Sequence, residues 1–367
     1  MRVYVDTVRW FCRPRNTDWQ YNFVLAELSR FVPSLEMFYP RDVAQLVRVN
    51  LAYCRDNLRY RMSKLGGSAL REWTTYSDRL CVGELQASAC DVVFSHRDFP
   101  SNAGAVPVIW QNSILDPQMA IARGISRDEI KSETSIKRKL FARSARVQVS
   151  TMAEAARLGE WMPELADRFV AVPFFLPYLD SAGATALEKH RDPEKVHFVF
   201  IGREARRKGL PEVLAALTSL NFGARRDWML TIVSDFRDGR VELPDWGNLH
   251  HRDNLARSEV IALLDAAHVL LVPSRFESYG FIYLEAMSRA TVPVVPDWEV
   301  QREIVDNGKC GVVVKPDPAR IAAAVETLAT DGAMRSGLAA AATRRFDGEY
   351  APAAVAARYA RMFESVR

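Results

Sequence analysis

The chain has 367 residues, 49% of them hydrophobic and 26% charged, with a formal net charge of +4. That is ordinary globular usage, and at about 150 residues per domain the length suggests two domains. Five scattered cysteines with no Cys-x-x-Cys spacing exclude a zinc-ribbon or disulfide framework. No stretch approaches the roughly 18 uninterrupted apolar residues of a membrane helix, and Met1–Asp6 reads straight into a strand without a signal peptide's apolar core, so we expect a cytoplasmic protein. Counted from the sequence, residues 1–175 carry a net +5 and residues 176–367 a net −1. A basic first half suits an anionic partner such as a phosphorylated acceptor or a membrane face, and an ordinary solvated surface accounts for it equally well. It is too mild for a nucleic-acid footprint.

Strand and helix signals alternate along the chain, which predicts parallel α/β architecture. In the first half, Val3–Val5 reads as a strand and Tyr21–Phe31 as an amphipathic helix. Asp91–Phe94, Val106–Trp110 and Val147–Val149 read as further strands, whereas residues 50–88 give only helix and loop signals around Gly66-Gly67-Ser68. Pro173, Pro177, Gly183 and Pro193, set among polar residues, mark a linker near 175–195.

A second alternation follows. Val196–Ile201 is a nearly continuous apolar run, as in a strand covered on both faces. Glu212–Leu220 reads as helix and Trp228–Val233 as strand; Ser258 can cap a helix with Val260, Leu263, Leu264 and Ala267 on one face. The strand Val269–Val272, a helix over 281–290 and the strand Val292–Val295 complete the pattern. The expected domains are 1–178 and 195–345, both doubly wound, with residues 346–367 as a C-terminal helix returning toward the first. Ligands of such sheets bind beyond the carboxyl ends of strands, so chemistry is expected in a cleft between the halves.

Two segments carry that chemistry. In Pro273–Met287 a buried strand ends, a loop presents Glu277, Gly280 follows and a helix begins that contains Glu285. The N–H groups and dipole of a helix start form a natural diphosphate site, and Gly280 allows close backbone approach. Carboxylates on either side can accept hydrogen bonds from the vicinal hydroxyls of a nucleotide sugar. The second segment, Gly202-Arg203-Glu204-Ala205-Arg206-Arg207-Lys208-Gly209, is neither a dinucleotide fingerprint nor a P-loop. It clusters cations at a strand's carboxyl end, where they can neutralise a departing diphosphate.

These residues resemble glycosyltransferase family 4. The features that carry the resemblance are the E-x(7)-E motif at Glu277 and Glu285, its Glu-Ala-Met tail at 285–287, and Gly-Arg followed by Lys-Gly at 202–209. Glu303-Ile304-Val305, Asn307-Gly308, Gly311–Val314 and Pro316-Asp317-Pro318 continue it. The resemblance implies a GT-B fold, two Rossmann-like doubly wound parallel-sheet domains facing a central cleft, and a retaining hexosyltransferase using a UDP- or GDP-linked sugar.

By the same resemblance Arg203 and Lys208 hold the donor diphosphate, Glu285 binds the ribose, and Glu277 sits against the transferred sugar. Ser278, Tyr279, Gly280 and Phe281 contact sugar or phosphate through their backbone, and His96, after Asp91–Phe94, lies near the donor sugar. The nucleotide base is expected against loops near Ser234-Asp235-Phe236 and His251–Leu255, with Asp235 a donor contact.

Two positions depart from the family's pattern. The loop Asp6–Gln20 has no glycine where the family has a Gly-Gly pair, and instead offers Arg13, Asn16 and Thr17 for acceptor recognition. Ala290 stands where glycine usually follows Glu-Ala-Met, and a local adjustment is expected there.

No cofactor or metal is expected, since the fixed cations meet the diphosphate charge and no Asp-x-Asp cluster occurs. The acceptor is expected to be a glycan or lipid-linked glycan, in bacterial surface-polysaccharide or lipopolysaccharide assembly. The basic segment Lys131–Arg146 suits a peripheral contact with an anionic membrane on its inner face, and equally a solvated helix face. Two other readings share the architecture: a nucleotide-sugar 2-epimerase, for which no acid/base set at C2 is found, and a non-catalytic sugar-nucleotide-binding protein.

Overall fold

The structure, a computed structural model, describes residues 1–6, 27–38, 90–95, 106–111, 120–121, 124–181, 191–192 and 194–367. The chain divides into two compact units. The first comprises Met1–Ile114, Ser126–Pro177 and Pro352–Arg367; the second comprises Leu115–Ile125 and Tyr178–Ala351.

The first unit is built on β1 (Arg2–Asp6), α1 (Leu28–Phe31), β2 (Glu36–Phe38), β3 (Val92–Ser95), β4 (Val108–Gln111), α2 (Arg127–Phe141), β5 (Arg146–Val149), α3 (Met152–Trp161) and β6 (Phe169–Ala171). Its strands form one parallel sheet in the order β2-β1-β3-β4-β5-β6. The first turns of both longer helices are held by their caps. Ser126 Oγ accepts from the Glu129 N–H while the Glu129 carboxylate accepts from the Ser126 N–H, and Thr151 Oγ1 accepts from the Glu154 N–H. Of the helix read over Tyr21–Phe31, Leu28–Phe31 is helical, and residues 21–26 lie outside the described residues, as do 50–88. The basic segment Lys131–Arg146 is not one helix: α2 ends at Phe141 and Arg146 already begins β5. Within it Lys137 is buried, and Arg138 donates to the Trp161 carbonyl at 2.6 Å.

The second unit contains β7 (Val196–Ile201), α4 (Leu210–Ser219), β8 (Trp228–Val233), β9 (Leu249–Arg252), α5 (Arg257–Ala266), β10 (Val269–Leu271), α6 (Phe281–Ser288), β11 (Val292–Pro296), α7 (Glu299–Ile304), β12 (Val312–Val314), α8 (Pro318–Thr330) and α9 (Gly332–Arg345). Its parallel sheet has the order β12-β11-β10-β7-β8-β9. This is the doubly wound order in which the winding reverses between the first and fourth strands, β7 and β10. The apolar runs of β7, β10 and β11 are buried as strands covered on both faces must be. Ser258 does not cap α5. The helix begins at Arg257, and the Ala256 N–H donates to Glu259 Oε2 at 2.7 Å, so the carboxylate three residues on does the capping.

The last helix, α10 (Pro352–Glu364), belongs to the first unit. Val355, Tyr359, Met362 and Phe363 pack into one core with Val3, Val5, Phe94 and Ile109. The Phe94 ring meets Tyr359 and Phe363 edge-on, at 5.9 and 5.7 Å between centroids.

At the amino end of β7 a buried histidine, His197, meets a half-buried one, His268, both in neutral form. The backbone N–H of His197 donates to His268 Nδ1 at 3.1 Å, and His197 Nε2 lies 2.9 Å from Thr231 Oγ1. Desolvation pushes His197 down to about 4 and His268 down to about 3, the latter helped by the charges of Arg191 and Arg335. Between their ordinary value near 6.5 and these values, the unfolded chain binds protons that the native protein refuses. Stability is therefore expected to fall as pH drops below about 6.5, by roughly 2 kcal/mol per histidine at pH 5. Melting temperature followed from pH 7 to 5 checks this, and His268→Gln should flatten the acid limb.

Candidate donor site at the switch point of the second sheet

The reversal between β7 and β10 brings together two loops nearly seventy residues apart in sequence. The turn after β7 carries Gly202–Gly209, and the loop after β10 carries Val272–Gly280. They are stitched at several points. The Arg275 N–H donates to the Arg207 carbonyl at 2.9 Å, and Arg207 NH1 donates to the Phe276 carbonyl at 3.0 Å. Gly209 has φ +87°, and a Cβ there would lie 2.5 Å from the Pro273 carbonyl oxygen, so only glycine closes this turn.

Glu277 is 6% exposed. Its Oε2 pairs with Lys208 Nζ, and Arg207 NH1 stands 3.5 Å away. Burial would raise this carboxyl, but the charges of Lys208 and Arg207 and their hydrogen bonds outweigh it and hold it below the usual range. Glu277 is thus an ionised acceptor, and Lys208 is fixed beside the carboxyl end of β7.

Beyond Glu277 the backbone turns through Gly280, at φ +88°, into α6, whose start has no side-chain cap. A Cβ at 280 would run into the Tyr283 ring. That ring is fully buried, with its hydroxyl donating to the Val272 carbonyl at 2.8 Å. Gln301 on α7, itself fully buried, donates from Nε2 to the Tyr279 carbonyl at 2.9 Å. Strand end, helix start and α7 together fix the path of Ser278, Tyr279, Gly280 and Phe281. Tyr279 is buried, while the Phe281 ring is exposed.

Glu285, in the second turn of α6, has a different environment. It is 9% exposed, and Tyr178 donates its hydroxyl to Oε1 at 3.2 Å. Arg257 stacks over the Tyr178 ring at 3.8 Å. Burial dominates and raises the Glu285 carboxyl, with Arg257 and the Tyr178 hydroxyl pulling it back. One motif thus supplies a firmly ionised carboxylate and a second that binds a proton more readily.

Arg203 does not share the Lys208 environment. It is more than half exposed and forks onto Asp235 Oδ2, through Nε at 2.9 Å and NH2 at 2.8 Å. Arg237 approaches the same oxygen at 3.9 Å. Burial pushes the Asp235 carboxyl up, but the Arg203 hydrogen bond and the two arginine charges overcome it and hold it low. Oδ1 of Asp235 is buried without a hydrogen-bond partner among the described residues, so it is an acceptor in waiting. Next to it Phe236 adopts φ +49°, an uncommon conformation for a bulky residue, and stacks on the His251 ring at 5.0 Å.

Of the residues expected at the site, Lys208 and Glu277 are paired, Arg203 and Asp235 are paired, and Ser278–Phe281 and Glu285 follow on one strand–loop–helix unit. His96, Arg13, Asn16 and Thr17 lie outside the described residues. Arg207, seen in the sequence only as a neighbour that could share phosphate, is the second cation of Glu277. Tyr178 and Arg257 were missed altogether: Tyr178 sits in a proline-rich stretch that reads as linker, and Arg257 shows no motif. At Ala290 the expected adjustment is a left-handed backbone, φ +52°, a conformation that costs an L-residue about 1 kcal/mol. Arg191 donates to the Arg289 and Ala290 carbonyls, at 2.9 Å each, and holds that turn.

Removing one member of a buried ion pair strands the other charge, at a cost of about 3–5 kcal/mol. Lys208→Ala is expected to fall at the low end of that range, because Arg207 still faces Glu277. Glu277→Gln should cost at least as much, because it leaves both the buried Lys208 ammonium and the Arg207 guanidinium without their anion. Gly280→Ala should destabilise by clash with Tyr283 and positive φ together. Urea denaturation of the three variants gives the ranking.

Comparison with known proteins agrees with this geometry. Residues 186–345 match the family model described as glycosyl transferases group 1. The glycogen synthase of Mycobacterium tuberculosis is 30% identical over 165 residues, covering 41% of this chain and 38% of that protein. The phosphatidyl-myo-inositol mannosyltransferase of Mycolicibacterium smegmatis is 29% identical over 229 residues, covering 60% and 57%. The chain thus spans less than two thirds of the length of the curated relatives it matches. Among solved structures, Anabaena HepE in complex with UDP and glucose superposes with a TM-score of 0.61 at 12% identity, over 99% of each chain. With its two six-stranded parallel sheets and this superposition the chain has the GT-B fold, and the unit that holds the paired loops matches the glycosyl transferases group 1 model over residues 186–345.

Proposed function

We propose that the protein is a retaining hexosyltransferase that moves a sugar from a UDP- or GDP-linked donor to a hydroxyl of a glycan or lipid-linked glycan. The observation that carries this reading is the Lys208–Glu277 pair beside the uncapped start of α6, at the switch point of the sheet. A donor diphosphate at that helix start meets aligned N–H groups, the helix dipole and the Lys208 ammonium, with Arg203 at the next strand end. The hexose hydroxyls fall to Glu277, and the ribose hydroxyls to Glu285. The base lies toward Asp235 and Phe236. HepE, solved with UDP and glucose, has the same fold and makes UDP the first nucleotide to test.

In the reaction the bond from the anomeric carbon to the diphosphate oxygen breaks, and its electron pair leaves with the diphosphate. The acceptor oxygen bonds to the same face of that carbon, and its proton passes to the leaving phosphate. Lys208, Arg203 and the helix start compensate the charge that grows on the leaving group, which is where electrostatic catalysis contributes most. With these cations in place the reading needs no divalent ion. Retention comes from the family resemblance and the front-face course it implies.

The reading extends to a cytoplasmic location and a role in bacterial surface-polysaccharide or lipopolysaccharide assembly. No described helix is long and apolar enough to cross a membrane. The exposed Lys131, Lys139 and Arg143, on α2 and just beyond it, are the basic residues for a peripheral contact with anionic lipid.

A thermal-shift panel of UDP, GDP and ADP with their sugars tests the donor site. The matching nucleotide at a hundredfold excess over its Kd should stabilise the protein by about 2.7 kcal/mol. Lys208→Met should lose most of that shift, and Glu277→Gln should keep nucleotide binding but lose transfer of labelled sugar. No shift with any nucleotide, or full transfer by Glu277→Gln, would sink the assignment.

A further inference from the structure

Glu285 is reached by a short strap of chain. Tyr178, Leu179 and Asp180 lie along α6: the Tyr178 hydroxyl donates to Glu285, and Asp180 pairs with Arg289 one turn further on, at 2.6 Å. Leu179 between them is buried, which anchors the strap. Arg289 is also within 3.7 Å of Asp265 on α5, so its charge is engaged by two carboxylates. Arg257, at the start of α5, is the cation that acts on Glu285, and it does so from over the face of the Tyr178 ring. A glutamate in this position has three rotatable bonds, and left unpinned it would lose side-chain entropy on meeting a ligand.

We propose that Tyr178 and Arg257 are positioning residues for the Glu285 carboxylate, holding it in the orientation that accepts the ribose hydroxyls of the donor. This rests on the reading of Glu285 as the ribose contact. The Tyr178 hydroxyl occupies Oε1 and fixes the plane of the carboxylate. Arg257 stacks on the tyrosine ring, and its charge opposes the upward pull of burial on the carboxyl. Tyr178 itself is driven upward by burial and by the Glu285 charge, so it remains a donor throughout the physiological range.

The test compares binding of UDP with that of 2′-deoxy-UDP and 3′-deoxy-UDP, and the same series on guanosine, in wild type, Tyr178→Phe, Arg257→Met and Glu285→Gln. Hydrogen bonds to a charged group are worth about 1.5–3 kcal/mol, so wild type should prefer the full ribose by about 10- to 100-fold. In Tyr178→Phe and Arg257→Met that preference should shrink to within about threefold. Affinity for the deoxy-nucleotides and kcat at saturating donor should stay near wild type, a split that general loss of structure would not produce. Arg257 is exposed, so its variant guards against misfolding of the tyrosine variant. If both variants keep the wild-type preference while Glu285→Gln loses it, the positioning role is overturned and the ribose reading stands. If Glu285→Gln keeps the preference, or wild type shows none on either base, the ribose reading falls and the positioning role with it.

Discussion

The buried pair between Lys208 and Glu277 is the contact on which the site depends. Each partner comes from a different loop, and each loop leaves the carboxyl end of a different strand. An ammonium and a carboxylate that are 12% and 8% exposed in their side chains are not sustained singly in such surroundings. Their pairing ties the turn after β7 to the loop after β10, and Arg207 reinforces it by donating to the Phe276 carbonyl. The close approach at Gly209 and the left-handed turn at Gly280 follow from that junction, because a Cβ at either would separate the parts it joins.

From this junction the two glutamates of the motif diverge. Glu277 faces two cations and stays ionised. Glu285 has a phenol against it and a single arginine stacked on that ring, and burial raises its carboxyl above the usual range. Spacing along the helix and loop separates them enough for each to have its own electrostatic surroundings. A ligand spanning both would therefore meet a hard, fixed anion at one end and a tunable one at the other.

The remaining elements supply rigidity. The fully buried Tyr283 and Gln301 hold the loop from beneath and beside it, Arg191 secures the turn at Ala290, and the strap through Tyr178 and Asp180 runs along α6. None of these residues bears a family signature. Each acts through a hydrogen bond to a backbone carbonyl or through a side-chain pair, which composition and spacing along the chain do not reveal.

The sequence by itself determined the central strands of the second unit, β7, β8, β10 and β11, because a strand buried on both faces must be a run of apolar residues; β7 and β8 appear at the bounds read from that run, whereas the edge strand β9, mostly exposed, carries no such run. It also determined the E-x(7)-E unit, whose strand, loop, glycine and helix are contiguous and so interact locally. Helix starts were less legible: Ser258 is a good cap by type, yet Glu259 reaches back to Ala256 and moves the start. Only the tertiary structure decided which cation meets which carboxylate. Lys208 pairs with Glu277 and Arg203 with Asp235 because the sheet winds outward in both directions from β7, placing β10 on one side and β8 on the other. Tyr178 and Arg257 became visible only there too, since their relation to Glu285 is a matter of distance in space between residues that share no periodic pattern.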